Sequence, residues 1–79
     1  MTPDEVRSVR FGKASIGKRG YDEESVDGLL DRIEASLAGH SSVTRAELSR
    51  VTFRRPPIGK RGYRKDDVDA FMQRVLAEW

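Results

Sequence analysis

Two adjacent cations framed by glycines occur twice in this chain. Gly17-Lys18-Arg19-Gly20 and Gly59-Lys60-Arg61-Gly62 each lie inside the hexapeptide Ile-Gly-Lys-Arg-Gly-Tyr, from Ile16 to Tyr21 and from Ile58 to Tyr63. The two glycines permit positive φ or close backbone approach, so each stretch reads as a tight loop. The loop presents one branched apolar residue and then two cations, which suits an anionic partner. It does not suit nucleotide chemistry, because the Gly-to-Gly stretch is too short for a phosphate-binding P-loop and lacks the Lys-Ser/Thr pair. Nothing else in the sequence points to catalysis. No nucleophile and base stand at a convincing spacing, and the carboxylates fall at helix starts or on exposed helical positions. No catalytic residue, cofactor or metal site is assigned. His40 is the single histidine and there is no cysteine to share a ligand set with it; in its Gly/Ser surroundings it reads as a solvated residue.

The remaining positive charge gathers near the second loop. Residues 1 to 38 carry six Lys/Arg against eight Asp/Glu, and residues 39 to 79 carry nine against five, within a formal net charge of +2. Arg54, Arg55, Lys60, Arg61, Arg64 and Lys65 account for the difference. A basic patch of this kind concerns anionic partners and not the fold. Nucleic acid is not the expected partner, because the patch lacks interleaved exposed aromatics and the first half is net negative.

The elements that must position these loops are themselves repeated. At the offset that separates Ile16 from Ile58, Thr2 meets Thr44, Glu5 meets Glu47, Val9 meets Val51 and Phe11 meets Phe53. Farther on, Val26-Asp27 meets Val68-Asp69, Arg32 meets Arg74 and Ala35 meets Ala77. The reading is two tandem units, residues 1–38 and 44–79, joined by a linker at 39–43 and together forming one compact domain. A unit of about 37 residues cannot cover its own apolar face. The two units pair within one chain, or two chains associate.

Thr2-Pro3-Asp4-Glu5 carries a cap, a first-turn proline and the Thr-x-x-Glu spacing of a capping box, and Thr44 to Glu47 repeats the spacing. Short helices are expected at 3–8 and 45–50. Val9-Arg10-Phe11 and Val51-Thr52-Phe53 alternate as extended segments do, and Pro56-Pro57 excludes a helix there. Tyr21 and Tyr63 read as a staple, or as rings packed under the loops. The main helices are expected at 22–38 and 64–78. Val26, Leu30, Ile33 and Leu37 form a seam at spacings of about 4, 3 and 4, matched by Val68, Met72, Val75 and Trp79. Leu29 and Phe71 widen it. Asp22, Glu23 and Glu24 suit the helix dipole at the first helix start, whereas Arg64-Lys65 oppose it at the second. A basic pair kept against local preference hints at another role. No apolar run approaches the roughly 20 residues that span a bilayer, and the first ten residues have no signal-peptide core; the compartment expected is the cytoplasm.

Taken together, Thr-Pro-Asp-Glu-Val, a Val-x-Phe segment, the Gly-Lys-Arg-Gly-Tyr loop, an acidic turn, then Val-Asp and an apolar seam resemble the N-terminal domain of the DivIVA family. These are bacterial polar-growth and division-site scaffolds. Arg54 to Tyr63 followed by Asp67 to Phe71 is most similar to the actinobacterial form. The resemblance implies an all-α fold: two tandem helix–loop–helix units in a pseudo-twofold pair, with a parallel two-helix core and crossed Gly-rich loops. It implies that a loop meets the membrane through an apolar residue and a basic one. Arg19 and Arg61 fall at the basic position; Lys stands before each, so the apolar role passes back to Ile16 and Ile58. The family's long coiled coil has no counterpart here, so its higher-order scaffolding is not carried over. The expected function is a non-enzymatic, peripheral-membrane module of the division or polar-growth apparatus, at the inner face of the cell membrane. Its partners would be anionic lipid and division or cell-wall synthesis proteins, with self-association open. Ile16, Lys18, Arg19, Ile58, Lys60, Arg61, Arg54, Arg55 and Arg64 would touch lipid, the second loop more strongly than the first. The alternative is a soluble adaptor that binds a protein through the helix face or the basic patch.

Overall fold

A computed structural model describes residues 1–15 and 17–79. The described residues form four α-helices and no strand: α1 (Pro3–Ser8), α2 (Glu23–Leu37), α3 (Arg45–Ser49) and α4 (Lys65–Glu78). The short helices begin as their sequences dictate. Thr2 Oγ1 accepts from Glu5 N at 3.2 Å and Thr44 Oγ1 from Glu47 N at 3.0 Å, each satisfying one orphan N–H of the first turn. The capping boxes are only half made. Glu5 turns away to Arg74 at 2.8 Å and Glu47 to Arg32 at 3.2 Å. The first ion pair joins α1 to α4 and the second joins α3 to α2. The side chains are about half exposed, so each contributes on the order of 0–1 kcal/mol. They orient the units more than they hold them.

Apolar burial holds them. Val26 and Ile33 of α2 are buried with Val68 and Val75 of α4, and Val6 of α1 and Leu48 of α3 close the same cluster. Fully burying side chains of this size is worth about 1.5–3 kcal/mol each. The buried face is broader than the seam expected. Leu29 and Phe71 lie inside the cluster, while Leu30, Leu37 and Trp79 are only half-buried against it. The reason is that α1 and α3 also pack on the long helices, so each long helix buries a wide stripe and not a narrow coiled-coil edge. Val43, the last residue of the expected linker, is buried as well.

Hydrogen bonds tie both ends of the long helices. α2 ends in a Schellman turn, with His40 N donating to Ala35 O at 2.8 Å and Gly39 N to Ser36 O at 3.1 Å. Beyond it, Val43 N donates to Ser36 Oγ at 3.3 Å, and Trp79 Nε1 from the end of α4 donates to Val43 O at 2.8 Å. At the opposite end Tyr21 and Tyr63, each two residues before a long helix, exchange backbone bonds: Tyr21 N to Tyr63 O at 3.0 Å and Tyr63 N to Tyr21 O at 2.9 Å. The extended segments therefore meet as isolated bridges rather than as a sheet.

Candidate functional site

The arms that carry the two hexapeptides meet at the Tyr21–Tyr63 bridge. Two glycines make that approach possible. A Cβ on Gly62 would stand 1.8 Å from Tyr21 O, and one on Gly20 would stand 2.2 Å from Tyr63 O. Only a residue without a side chain fits at either place. Further bonds lace the arms together: Gly62 N to Arg19 O and Ala14 N to Gly62 O, each at 2.8 Å. Pro56 stands where the second unit would repeat Ala14, and it has no N–H to donate. Asp22 N donates to Arg54 O at 2.9 Å and Arg64 N to Gly12 O at 2.8 Å, so each arm also braces the start of the other unit's long helix.

The tyrosines act through both ends. Their rings pack on Phe53 and Phe11, with centroids 5.0 Å apart for Tyr21–Phe53 and 5.3 Å for Phe11–Tyr63. Tyr21 Oη donates to Asp69 at 2.7 Å and Tyr63 Oη to Asp27 at 2.9 Å. The rings pack, one of the two roles the sequence offers, and the hydroxyls also clamp residues far apart in the chain. The bond to Asp69, with burial and the same charge, pushes the Tyr21 hydroxyl up to about 12. Burial, and then the bond to Asp27, push Tyr63 up to about 12.

The expected lipid-facing residues divide by geometry. Ile16 lies outside the described residues. Ile58 is 95% exposed at the tip of the second loop. There Lys60 N donates to Pro57 O at 3.0 Å and Gly59 takes φ +90°, as the third residue of a type II turn requires. Lys18 N closes the corresponding turn on Ser15 O at 2.9 Å. Lys18, Lys60 and Arg55 are exposed. Arg19 and Arg61 are exposed too, but each lends one guanidinium N–H to the opposite arm: Arg19 to Pro56 O, and Arg61 to Ala14 O at 3.3 Å. Arg54 is held by the start of α2, 3.1 Å from Asp22 and 3.9 Å from Glu24.

The fold also regroups the cations. Lys18 and Arg19 of the first arm face Arg55 of the second arm and Arg64, Lys65 and Asp66 at the start of α4, around an open cavity of about 400 Å³. The sequence places the stronger lipid contact at the second loop, with Lys65 adding attraction but not among the residues expected to touch lipid; here Lys65 lines the cavity. Its signal was the basic pair at the α4 start, where the N-cap Arg64 gives no side-chain acceptor. Among the described residues no cluster of His, Cys, Asp or Glu could hold a metal ion, and no helix is long and apolar enough to cross a membrane.

Over 37 residues the chain is 54% identical to the cell wall synthesis protein Wag31 of Mycobacterium tuberculosis, and likewise to those of Mycobacterium leprae and Mycolicibacterium smegmatis. The match takes in 47% of this chain and 14% of each relative. It supports a DivIVA-like relation. The chain thus spans about one seventh of the length of the curated relatives it matches. No family model and no solved structure matches the chain.

Proposed function

We propose that this chain is a non-enzymatic module of the bacterial cell-wall synthesis and polar-growth machinery that docks on anionic membrane through its crossed loops. The likeness to Wag31 supports the setting. The exposure of Ile58 carries the membrane reading: among the described residues it is the large apolar side chain left in solvent, and it sits on a turn beside Lys60 and Arg61. An apolar tip flanked by cations fits a lipid interface, where the side chain enters the acyl boundary and the cations meet headgroups. Burying one such side chain contributes about 1.5–3 kcal/mol, and each nearby cation about 1 kcal/mol. Reversible, salt-sensitive docking follows from those magnitudes.

The arrangement behind the loops is a pseudo-twofold pair of units within one chain, with a parallel two-helix core. What supports it is the reciprocity of the contacts. Tyr21 reaches Asp69 while Tyr63 reaches Asp27, and Arg32 reaches Glu47 while Arg74 reaches Glu5. The partners on the cell-wall side would be proteins of the synthesis machinery.

Co-sedimentation with vesicles tests the membrane reading. The full chain should pellet with phosphatidylglycerol vesicles at low salt and stay in solution with phosphatidylcholine vesicles. Ile58→Ser should lower the bound fraction, with an affinity loss of about tenfold or more. Binding should weaken as salt shortens the screening length to about 10 Å at 0.1 M. Wild-type protein left in the supernatant with anionic vesicles would replace this reading by that of a soluble adaptor.

A further inference from the structure

We infer that the cavity between the first arm and the start of α4 is a binding pocket for a phosphate group, built from both units and absent from the corresponding place on α2. Lys18, Arg19, Arg55, Arg64 and Lys65 line it against one carboxylate, Asp66. Among the described residues no ion pair includes Lys18, Arg55, Arg64 or Lys65, although Asp66 is beside them. Cations gathered around one concavity repel each other, and an oxyanion entering it relieves that repulsion. Guanidinium groups match phosphate oxygens in pairs, and ammonium groups add point charge.

The molecule contains its own control. The repeat places Asp22, Glu23 and Glu24 on α2 where α4 has Arg64, Lys65 and Asp66, and Lys13 where the second arm has Arg55. On that side the charges are internally matched: Lys13 pairs with Glu23, and Arg54 with Asp22. The backbone contacts are alike, since Asp22 N and Arg64 N each donate to the opposite arm. At the two helix starts what differs is the charge pattern. At a helix start the dipole favours the acidic set and opposes the basic one, so the basic set on α4 is kept at a local cost. Asp22 also caps α2 by accepting from Ser25 N at 3.3 Å, whereas Arg64 cannot cap α4.

A cavity of about 400 Å³ has room for a phosphate ester together with the group it esterifies, within the usual range for small-ligand pockets. The source of the phosphate is either a lipid headgroup or a soluble phosphate ester. The lipid source rests on the membrane reading above. Arg55 lines the pocket and precedes Ile58 by three residues, which favours a headgroup drawn in beside the loop tip.

The test titrates the ¹⁵N-labelled full chain with inorganic phosphate and with glycerol 3-phosphate, using chloride at matched ionic strength as reference. In parallel it sediments the protein with phosphatidylglycerol vesicles. Amide shifts should gather at Lys18, Arg19, Arg55, Arg64 and Lys65 and spare Lys13 and Glu23. The double variant Arg64→Asp, Lys65→Glu installs the α2 residues. It should lower phosphate affinity about tenfold or more while melting no lower than wild type, because Asp can cap. Arg64→Lys with Lys65→Arg should keep binding. Localised shifts with vesicle binding that the double variant weakens support the headgroup source. Localised shifts without vesicle binding support the pocket with a soluble ligand and remove the membrane reading. Shifts equal to those from chloride, or spread over all exposed cations, overturn the pocket. So does a double variant that keeps wild-type phosphate affinity, whereas one that loses phosphate affinity yet still pellets with the vesicles as wild type does supports the pocket with a soluble ligand and leaves the membrane reading standing.

Discussion

Replacing Gly62 by Ala tests the crossing on which the site depends. The added Cβ would lie 1.8 Å from Tyr21 O, 2.5 Å from Tyr21 C and 3.2 Å from Asp22 N. The neighbours are backbone atoms, not the flexible end of a side chain, so the arms must separate by more than an ångström. Separation puts at risk the bonds Tyr21 N to Tyr63 O, Tyr63 N to Tyr21 O, Gly62 N to Arg19 O and Ala14 N to Gly62 O. Each is worth a net of about 0.5–1.5 kcal/mol. Losing half of them and straining the rest gives a loss of about 2–4 kcal/mol. A domain of this size holds about 3–5 kcal/mol in all, so the variant should be largely unfolded or melt far below wild type. Urea titration followed by far-UV circular dichroism measures this, with the slope reporting whether the native state remains compact. Gly59→Ala is the reference. Its φ of +90° strains any side chain, but nothing lies within 4 Å of the new Cβ, so the cost should stay at about 1–2 kcal/mol. Gly20→Ala should behave like Gly62→Ala, since its Cβ meets Tyr63 O at 2.2 Å. A Gly62→Ala protein with the urea midpoint of wild type would refute the crossed-arm geometry.

Two further outcomes follow from the interior and from the tyrosine clamps. Phe71→Ala removes a buried ring that also meets Phe11 edge-on at 5.7 Å, and should cost about 3–5 kcal/mol; an unchanged thermal midpoint would show that this face of α4 is not buried. The Tyr21 and Tyr63 hydroxyls titrate higher in the folded chain, at about 12, than in the unfolded one, near 10. Their contribution is therefore complete below pH about 10 and is lost as pH rises toward about 12. Because both groups are partly solvated, about 1 kcal/mol each is at stake. Tyr21→Phe with Tyr63→Phe should begin less stable at pH 8 and show a shallower decline between pH 10 and 12; a decline as steep as that of wild type would deny the clamps a role.

The local elements could be read from the chain because their causes are local. Thr2 and Thr44 mark the starts of α1 and α3 through side chains that reach only three residues ahead. Val26, Ile33, Val68 and Val75 fall on buried faces because apolar residues at helical spacing must share one side. The repeated hexapeptide marks two loops, and its glycines mark positive φ or close approach. Sequence could not say which arm meets which helix. Tyr21 lies 48 residues from Asp69 and Tyr63 lies 36 from Asp27, and a repeat allows each unit to satisfy itself as readily as its neighbour. The tertiary structure decides this by bringing the arms together at Tyr21 and Tyr63, which two side-chain-free positions permit. Tertiary pairing with Arg74 and Arg32 likewise takes Glu5 and Glu47 out of their own capping boxes. The fold also brings Lys18 and Arg19 into company with Arg55, Arg64 and Lys65. Charge adds up in space and not along the chain, so the first loop shares a cavity with cations that belong to the second half of the sequence.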